Sequence, residues 1–213
     1  MSKSAPNWHS IPYNPNNNTQ QQAITALLTA SFGPYTEYYQ LALQHLATPQ
    51  HTYLWGEGDT PYAHLQVVDY IASTPTGNYP IAYLYAICTA PEYRGKGFML
   101  GYLAHLIPHL CNNGYHAVAL LPANRALVSY YQRLGMVLQQ TPFFLGKLPN
   151  NSTPLPFIAP HHAAQQYLKA AARVATFNHE EEQHPQNYPG WMLYLPPQAG
   201  NTLYGIPLFA PLD

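Results

Sequence analysis

Pro91-Glu92-Tyr93-Arg94-Gly95-Lys96-Gly97-Phe98-Met99 is the stretch from which the fold can be read. It follows an apolar, strand-like run, Ile81 to Cys88, and precedes a helix-like run, Leu100 to Cys111. A glycine-bearing turn between a strand and a helix leaves backbone N–H groups unpaired at the helix N-terminus. Those donors and the positive end of the helix dipole suit an anion, above all a phosphate. Gly95 and Gly97 allow tight turning and close approach of a ligand, and Arg94 and Lys96 add positive charge. Taken alone, such a loop is more often a charged turn capping a helix.

The following residues weigh the balance. Tyr115 to Leu121 reads as a second buried strand, broken by Pro122-Ala123, and Asn124 stands where a helix N-cap would. A helix over Arg125–Leu134 carries Ala126, Leu127, Tyr130, Tyr131 and Leu134 as its apolar positions, and Gly135 ends it. The order is strand, basic glycine loop, helix, strand, and an Asn-initiated helix ending in Tyr-Tyr-x-x-x-Gly.

In these residues the chain resembles the GNAT superfamily of acyl-CoA-dependent N-acyltransferases, and within it an uncharacterised bacterial branch. The family loop, Arg/Gln-x-x-Gly-x-Gly/Ala, corresponds to Arg94-Gly95-Lys96-Gly97-Phe98-Met99. The later signature is Asn, about seven residues, Tyr, then Gly-aromatic; it corresponds to Asn124, Tyr131, Gly135 and Met136. Met99 departs from the small sixth loop residue and Met136 from the aromatic. The close resemblance covers residues 79–138, with a looser one back to about residue 20.

The resemblance implies an α/β (α+β) fold: a mixed central sheet with helices on both faces, here with a C-terminal helix and hairpin extension. It implies a GNAT domain over residues 1–145, with residues 146–213 packed on it or completing it. It further implies acetyl-CoA as co-substrate and a primary amine, on a small molecule or a peptide, as acceptor, and it is compatible with a homodimer. Pantetheine would run beside the strand before the loop and pair with the backbone of Ile87, Cys88 and Thr89. Arg94, Gly95, Lys96, Gly97, Phe98 and Met99 would cradle the pyrophosphate, mostly through main-chain N–H groups, and Asn124 would cap its helix and reach the cofactor. Tyr131 matches the tyrosine that protonates the departing sulfur; an unperturbed pKa of about 10 keeps its proton in place at neutral pH.

Composition sets wider bounds. The chain has 213 residues, 47% of them hydrophobic and only 8% charged, with a net charge of −1. No basic patch offers itself to nucleic acid. Cys88 and Cys111 fall in expected buried elements and read as core residues of a reducing, cytoplasmic compartment. The first residues have no apolar leader segment, and no run of 18 apolar residues suggests a membrane span.

The remaining pattern places a short strand at Trp8–Tyr13, helices at Gln20–Ser31 and Tyr35–Leu46, and strands at His51–Trp55, Tyr62–Ile71 and Tyr79–Cys88. Asn18 or Thr19 is expected to cap the first helix. After Gln140 the chain is proline-rich; a helix is expected at Ala163–Phe177 and a hairpin from Trp191–Leu195 and Thr202–Ile206. The strand that completes the sheet beside the acyl site is either Phe143–Leu145 or part of that hairpin.

Candidates for the general base are Glu92, Glu37, Asp69, Tyr85 and His116, each also explicable structurally. Water chains could equally deprotonate the amine. The pair His161-His162 lacks a third ligand at helical spacing, so no metal site is expected. The competing functions are an acyl-CoA binder without turnover and a nucleotide-binding protein. The second is disfavoured because Gly-Lys-Ser/Thr and Gly-x-Gly-x-x-Gly are absent.

Overall fold

The computed structural model describes residues 9–139, 143–145, 157–160, 191–199, 203 and 208–210. Its elements are β1 (His9–Ile11), α1 (Asn18–Phe32), α2 (Thr36–His45), β2 (Thr52–Glu57), β3 (Thr60–Thr74), β4 (Gly77–Thr89), α3 (Phe98–Asn112), β5 (Ala117–Leu120), α4 (Ala126–Gln132), β6 (Val137–Gln139), β7 (Phe143–Leu145), β8 (Phe157–Pro160), β9 (Trp191–Tyr194) and β10 (Leu208–Ala210). The order expected from sequence holds through β6. Two compact units divide the chain: Met1–Val67 with Leu84–Met99, and Val68–Tyr83 with Leu100–Asp213.

In the first unit β1 pairs antiparallel with β2, and β2 with the first half of β3, in register Leu54 with His64. The link between these two strands is tighter than the sequence suggests. Glu57 pairs with Thr60 across Gly58 at φ +58°, so pairing continues through residues expected to be turn. Helix α1 is capped by Asn17, not by Asn18 or Thr19. Its side chain accepts from the N–H groups of Thr19 and Gln20, at 3.0 and 3.2 Å. The turn after Pro15 closes early, because the Asn17 N–H donates to the Asn14 carbonyl at 3.0 Å. Ile24, Leu27 and Leu28 form the buried stripe of α1, and Tyr38, Tyr39, Ala42 and Leu43 that of α2.

In the second unit the strand order is β6-β9-β5-β4-β3-β8-β10-β7. β5 lies parallel to β4, with Ile81, Ala82 and Tyr83 opposite Ala117, Val118 and Ala119. The register stops at Tyr83, well short of the end of β4. Both edges of β9 are occupied, by β5 and by β6. Trp191–Tyr194 thus completes the sheet next to β5, and β7 lies at the opposite end. Thr202 and residues 204–206 of the expected hairpin, the expected helix Ala163–Phe177 and His161-His162 lie outside the described residues. Helix α3 buries Leu103, Leu106, Ile107 and Leu110, the i, i+3, i+4, i+7 face of an amphipathic helix. Each such side chain contributes about 1.5–3 kcal/mol.

Candidate functional site

The loop before α3 has the backbone that its glycines allow. Pro91–Tyr93 forms one turn of 3-10 helix, closed by the Arg94 N–H on the Pro91 carbonyl at 3.2 Å. Gly95 and Gly97 then take φ of +73° and +80°, a region costly for residues with a Cβ. A Cβ built on either would meet no atom of the described residues within 4 Å. Backbone conformation, not crowding, selects glycine here, and among the described residues the space in front of both is open. The N–H groups of Gly95, Lys96 and Gly97 have no backbone acceptor among the described residues. Phe98 and Met99, expected to lie in the loop, form the first turn of the 15-residue α3 instead. The result is a run of backbone donors on the positive end of a helix dipole, facing open space, which is the chemistry of a phosphate cradle.

The two basic side chains of the loop are already engaged. The Arg94 Nε donates to the Thr89 carbonyl at 2.8 Å, and its Nη2 donates to the Ala30 carbonyl at 3.2 Å and to Ser31 Oγ at 2.9 Å. Arg94 therefore ties the loop to the end of β4 and to the C-terminal turn of α1, where a cation also complements the helix dipole. The Lys96 ammonium lies 5.2 Å from the centre of the Tyr93 ring, and Tyr93 packs on Tyr62 at 4.6 Å.

The strand entering this loop carries the chain's one described non-glycine residue with positive φ. Ala86 has φ +51° in the middle of β4. For alanine that costs on the order of 1–2 kcal/mol. Before it, Ile81 to Tyr85 are all buried; after it, Ile87 and Thr89 are half-buried and Cys88 is buried. The Ala86 carbonyl accepts from His64 Nδ1 at 3.1 Å. A carbonyl can only accept, so Nδ1 carries the proton. His64 is 1% exposed, and its Nε2 has no hydrogen-bond partner among the described residues. Burial pulls its pKa down to about 4, against a small opposing effect of the Ala86 bond. Beside it, burial pushes the Cys88 thiol up to about 12, with Ser31, the His64 backbone and Arg94 opposing. Cys88 is a core thiol, not a nucleophile.

In the second unit the N-cap position of α4 is held by Arg125, which makes no side-chain cap bond; the capping contact comes from Asn124 one residue earlier, whose Oδ1 accepts from the Leu127 N–H at 3.2 Å. Tyr131 is 6% exposed and stands edge-on to Tyr130, ring centres 5.1 Å apart. Burial, with Tyr130 adding, pushes its hydroxyl well above the ordinary tyrosine value. No hydrogen bond from that hydroxyl is present among the described residues. Tyr130, expected to pack inward, is only half-buried, with the Arg133 guanidinium 5.4 Å from its ring centre. The seven-residue α4 has room for one buried tyrosine, and Tyr131 takes that face. Met136, in place of the family's aromatic, is 2% exposed and fills core volume.

The expected bases stand in different surroundings. Glu37 and Glu92 are exposed. The Tyr85 hydroxyl donates to that of Tyr38 at 3.2 Å. Asp69 accepts a 2.5 Å hydrogen bond from the Tyr115 hydroxyl. His116 packs on Tyr79 at 4.5 Å, with its pKa lowered by burial. His64 was not among the candidates; the only trace of it in the sequence is a histidine inside an apolar run, Ala63-His64-Leu65-Gln66-Val67-Val68.

Comparison with known proteins bears on the family and the fold. The model of the acetyltransferase (GNAT) domain matches residues 13–138. No match is found among curated proteins. Among solved structures, the GNAT family N-acetyltransferase YhbS from Escherichia coli, in complex with CoA, superposes with a TM-score of 0.59 at 14% identity, covering 100% of this chain and 93% of that one. A GNAT family acetyltransferase from Brucella melitensis in complex with acetyl-CoA gives 0.50 at 14% identity, over 76% of this chain and 99% of that one. A GCN5-related N-acetyltransferase from Kribbella flavida gives 0.51 at 19% identity, and there the chain spans only 34% of the other's length. At these identities the structures speak to the fold. The family match, over more than half of the chain, speaks to membership: the chain belongs to the GNAT acetyltransferase family.

Proposed function

We propose that this protein is an acyl-CoA-dependent N-acyltransferase that moves an acetyl group from acetyl-CoA to a primary amine. The observation that carries the reading is the loop at the N-terminus of α3, with Gly95 and Gly97 at positive φ and N–H groups that have no backbone acceptor among the described residues. In this reading the N–H groups of residues 95–99 bind the pyrophosphate, and Arg94 and Lys96 hold the loop in shape. The backbone of Ile87, Cys88 and Thr89 aligns the pantetheine arm, and Asn124 contributes a polar contact while it caps α4. Orientation of this kind is the main requirement, because acyl transfer from a thioester needs few protein groups.

The amine attacks the thioester carbonyl in its neutral form. The carbon–sulfur bond breaks, and negative charge develops on the sulfur. Tyr131, kept neutral by its buried position, stabilises that charge with a hydrogen bond and delivers the proton. The amine's own proton leaves to solvent or to a base, and the Tyr131 oxygen takes a proton back from solvent before the next turnover. The co-crystallised ligands of the E. coli and B. melitensis proteins, CoA and acetyl-CoA, support the choice of cofactor. Acetyl-CoA incubated with a panel of small amines and peptides should release free thiol only when the acceptor is present. A protein that binds CoA and releases no thiol with any acceptor would be a non-catalytic binder instead. The exposure of Glu37 and Glu92 and the paired Tyr85 hydroxyl are the observations on that side.

A further inference from the structure

We infer that His64 is a positioning residue for the pantetheine arm: its Nδ1–H holds the Ala86 carbonyl and so fixes the kink that sets the direction of Ile87–Thr89. The assignment rests on the cofactor reading above. Three observations converge on it. Ala86 takes a left-handed conformation, φ +51°, that alanine does not adopt unaided. Its carbonyl is met by a side chain from β3, at 3.1 Å. That side chain is 1% exposed, and its second nitrogen is left without a partner among the described residues. A buried histidine with one unsatisfied nitrogen is a poor choice for packing alone, since an apolar residue would fill the same volume at no polar cost. The bond to Ala86 is what an apolar residue could not supply. Both restraints act on the last part of β4: Arg94 holds the Thr89 carbonyl at its end, and His64 holds the carbonyl of Ala86 before it. Ile87 and Cys88 lie between the two held carbonyls, and with Thr89 they are the residues assigned to the cofactor.

The test separates the pantetheine arm from the rest of CoA. Calorimetry is run with CoA and with adenosine 3′-phosphate 5′-diphosphate, which keeps the pyrophosphate and lacks the arm. His64→Leu keeps apolar bulk and removes the donor. It should weaken CoA about tenfold, the worth of one lost hydrogen bond, and leave the fragment within about twofold. His64→Asn, whose amide stands where Nδ1 stood, should restore CoA binding. If His64→Leu does not fold, His64→Gln serves in its place, since its amide falls nearer the Nε2 position. Equal weakening of both ligands would mean packing and overturn the assignment, and so would unchanged CoA affinity in His64→Leu or His64→Gln. Wild-type protein that binds neither ligand would overturn the cofactor reading, and this assignment with it.

Discussion

Acid should destabilise this protein through His64 in particular. The group is neutral in the fold, with a pKa near 4 in place of the ordinary 6.5, because burial disfavours its charged form. Between those two values the unfolded chain binds a proton that the folded chain excludes. His64 therefore contributes stability that is fully present above about pH 6.5 and is lost as pH falls toward about 4. At about 1.4 kcal/mol per pH unit, the loss amounts to about 3 kcal/mol, a large part of the margin of a typical domain. Urea unfolding of wild type and His64→Asn, measured from about pH 7.5 to about pH 4.5, isolates this effect from the other histidines. The stability advantage of wild type should shrink across that interval by up to about 3 kcal/mol. Parallel profiles for the two proteins would refute the reasoning, as would an NMR titration of His64 near the ordinary value.

Further outcomes follow from the same geometry. Tyr131→Phe keeps the ring and removes the donor, so kcat should fall roughly 10²-fold with CoA affinity nearly unchanged; an equal loss of affinity would mark a packing role. Because burial raises the Tyr131 pKa, the rate should show no loss from its ionisation as pH rises to about 10, read from a kcat–pH profile. Arg94→Lys should lower CoA affinity much as Arg94→Ala does, since an ammonium cannot span the Thr89, Ala30 and Ser31 acceptors as the guanidinium fork does; calorimetry on both variants decides this. Cys88, with its thiol near 12, should resist alkylation at about pH 8 in the folded protein and react only on unfolding, as followed by mass spectrometry.

What could be read from sequence was local. The glycine loop, the Asn124 turn into α4 and the succession of three strands before the loop declare themselves in spacing and turn chemistry over a few residues, and the structure keeps them. Errors at helix ends came from competition between adjacent caps. Asn17, Asn18 and Thr19 are all capable caps, and the turn after Pro15 chose the first. What stayed hidden depends on partners far away in the chain. The place of Trp191–Tyr194 between β5 and β6 is set by pairing with strands that lie far back in the sequence, at Ala117–Leu120 and Val137–Gln139. The Arg94 side chain looked like a ligand for an anion; only the fold brings Ala30 and Ser31 to it. The kink at Ala86 has no signature at all, because nothing in Tyr85-Ala86-Ile87 calls for positive φ, and its support comes from His64 on another strand.

The central claim is that the loop before α3 is a pyrophosphate cradle, and one measurement addresses it directly. CoA is titrated calorimetrically into wild type, Gly97→Glu and Gly58→Glu, each checked for folding by circular dichroism. Both glycines have positive φ and open space before them, so the backbone strain is shared, while only Gly97 lies in the cradle. A carboxylate at residue 97 would occupy and repel the phosphate position, so CoA binding should be abolished there and retained in wild type and Gly58→Glu. Unchanged CoA affinity in a folded Gly97→Glu protein would contradict the account.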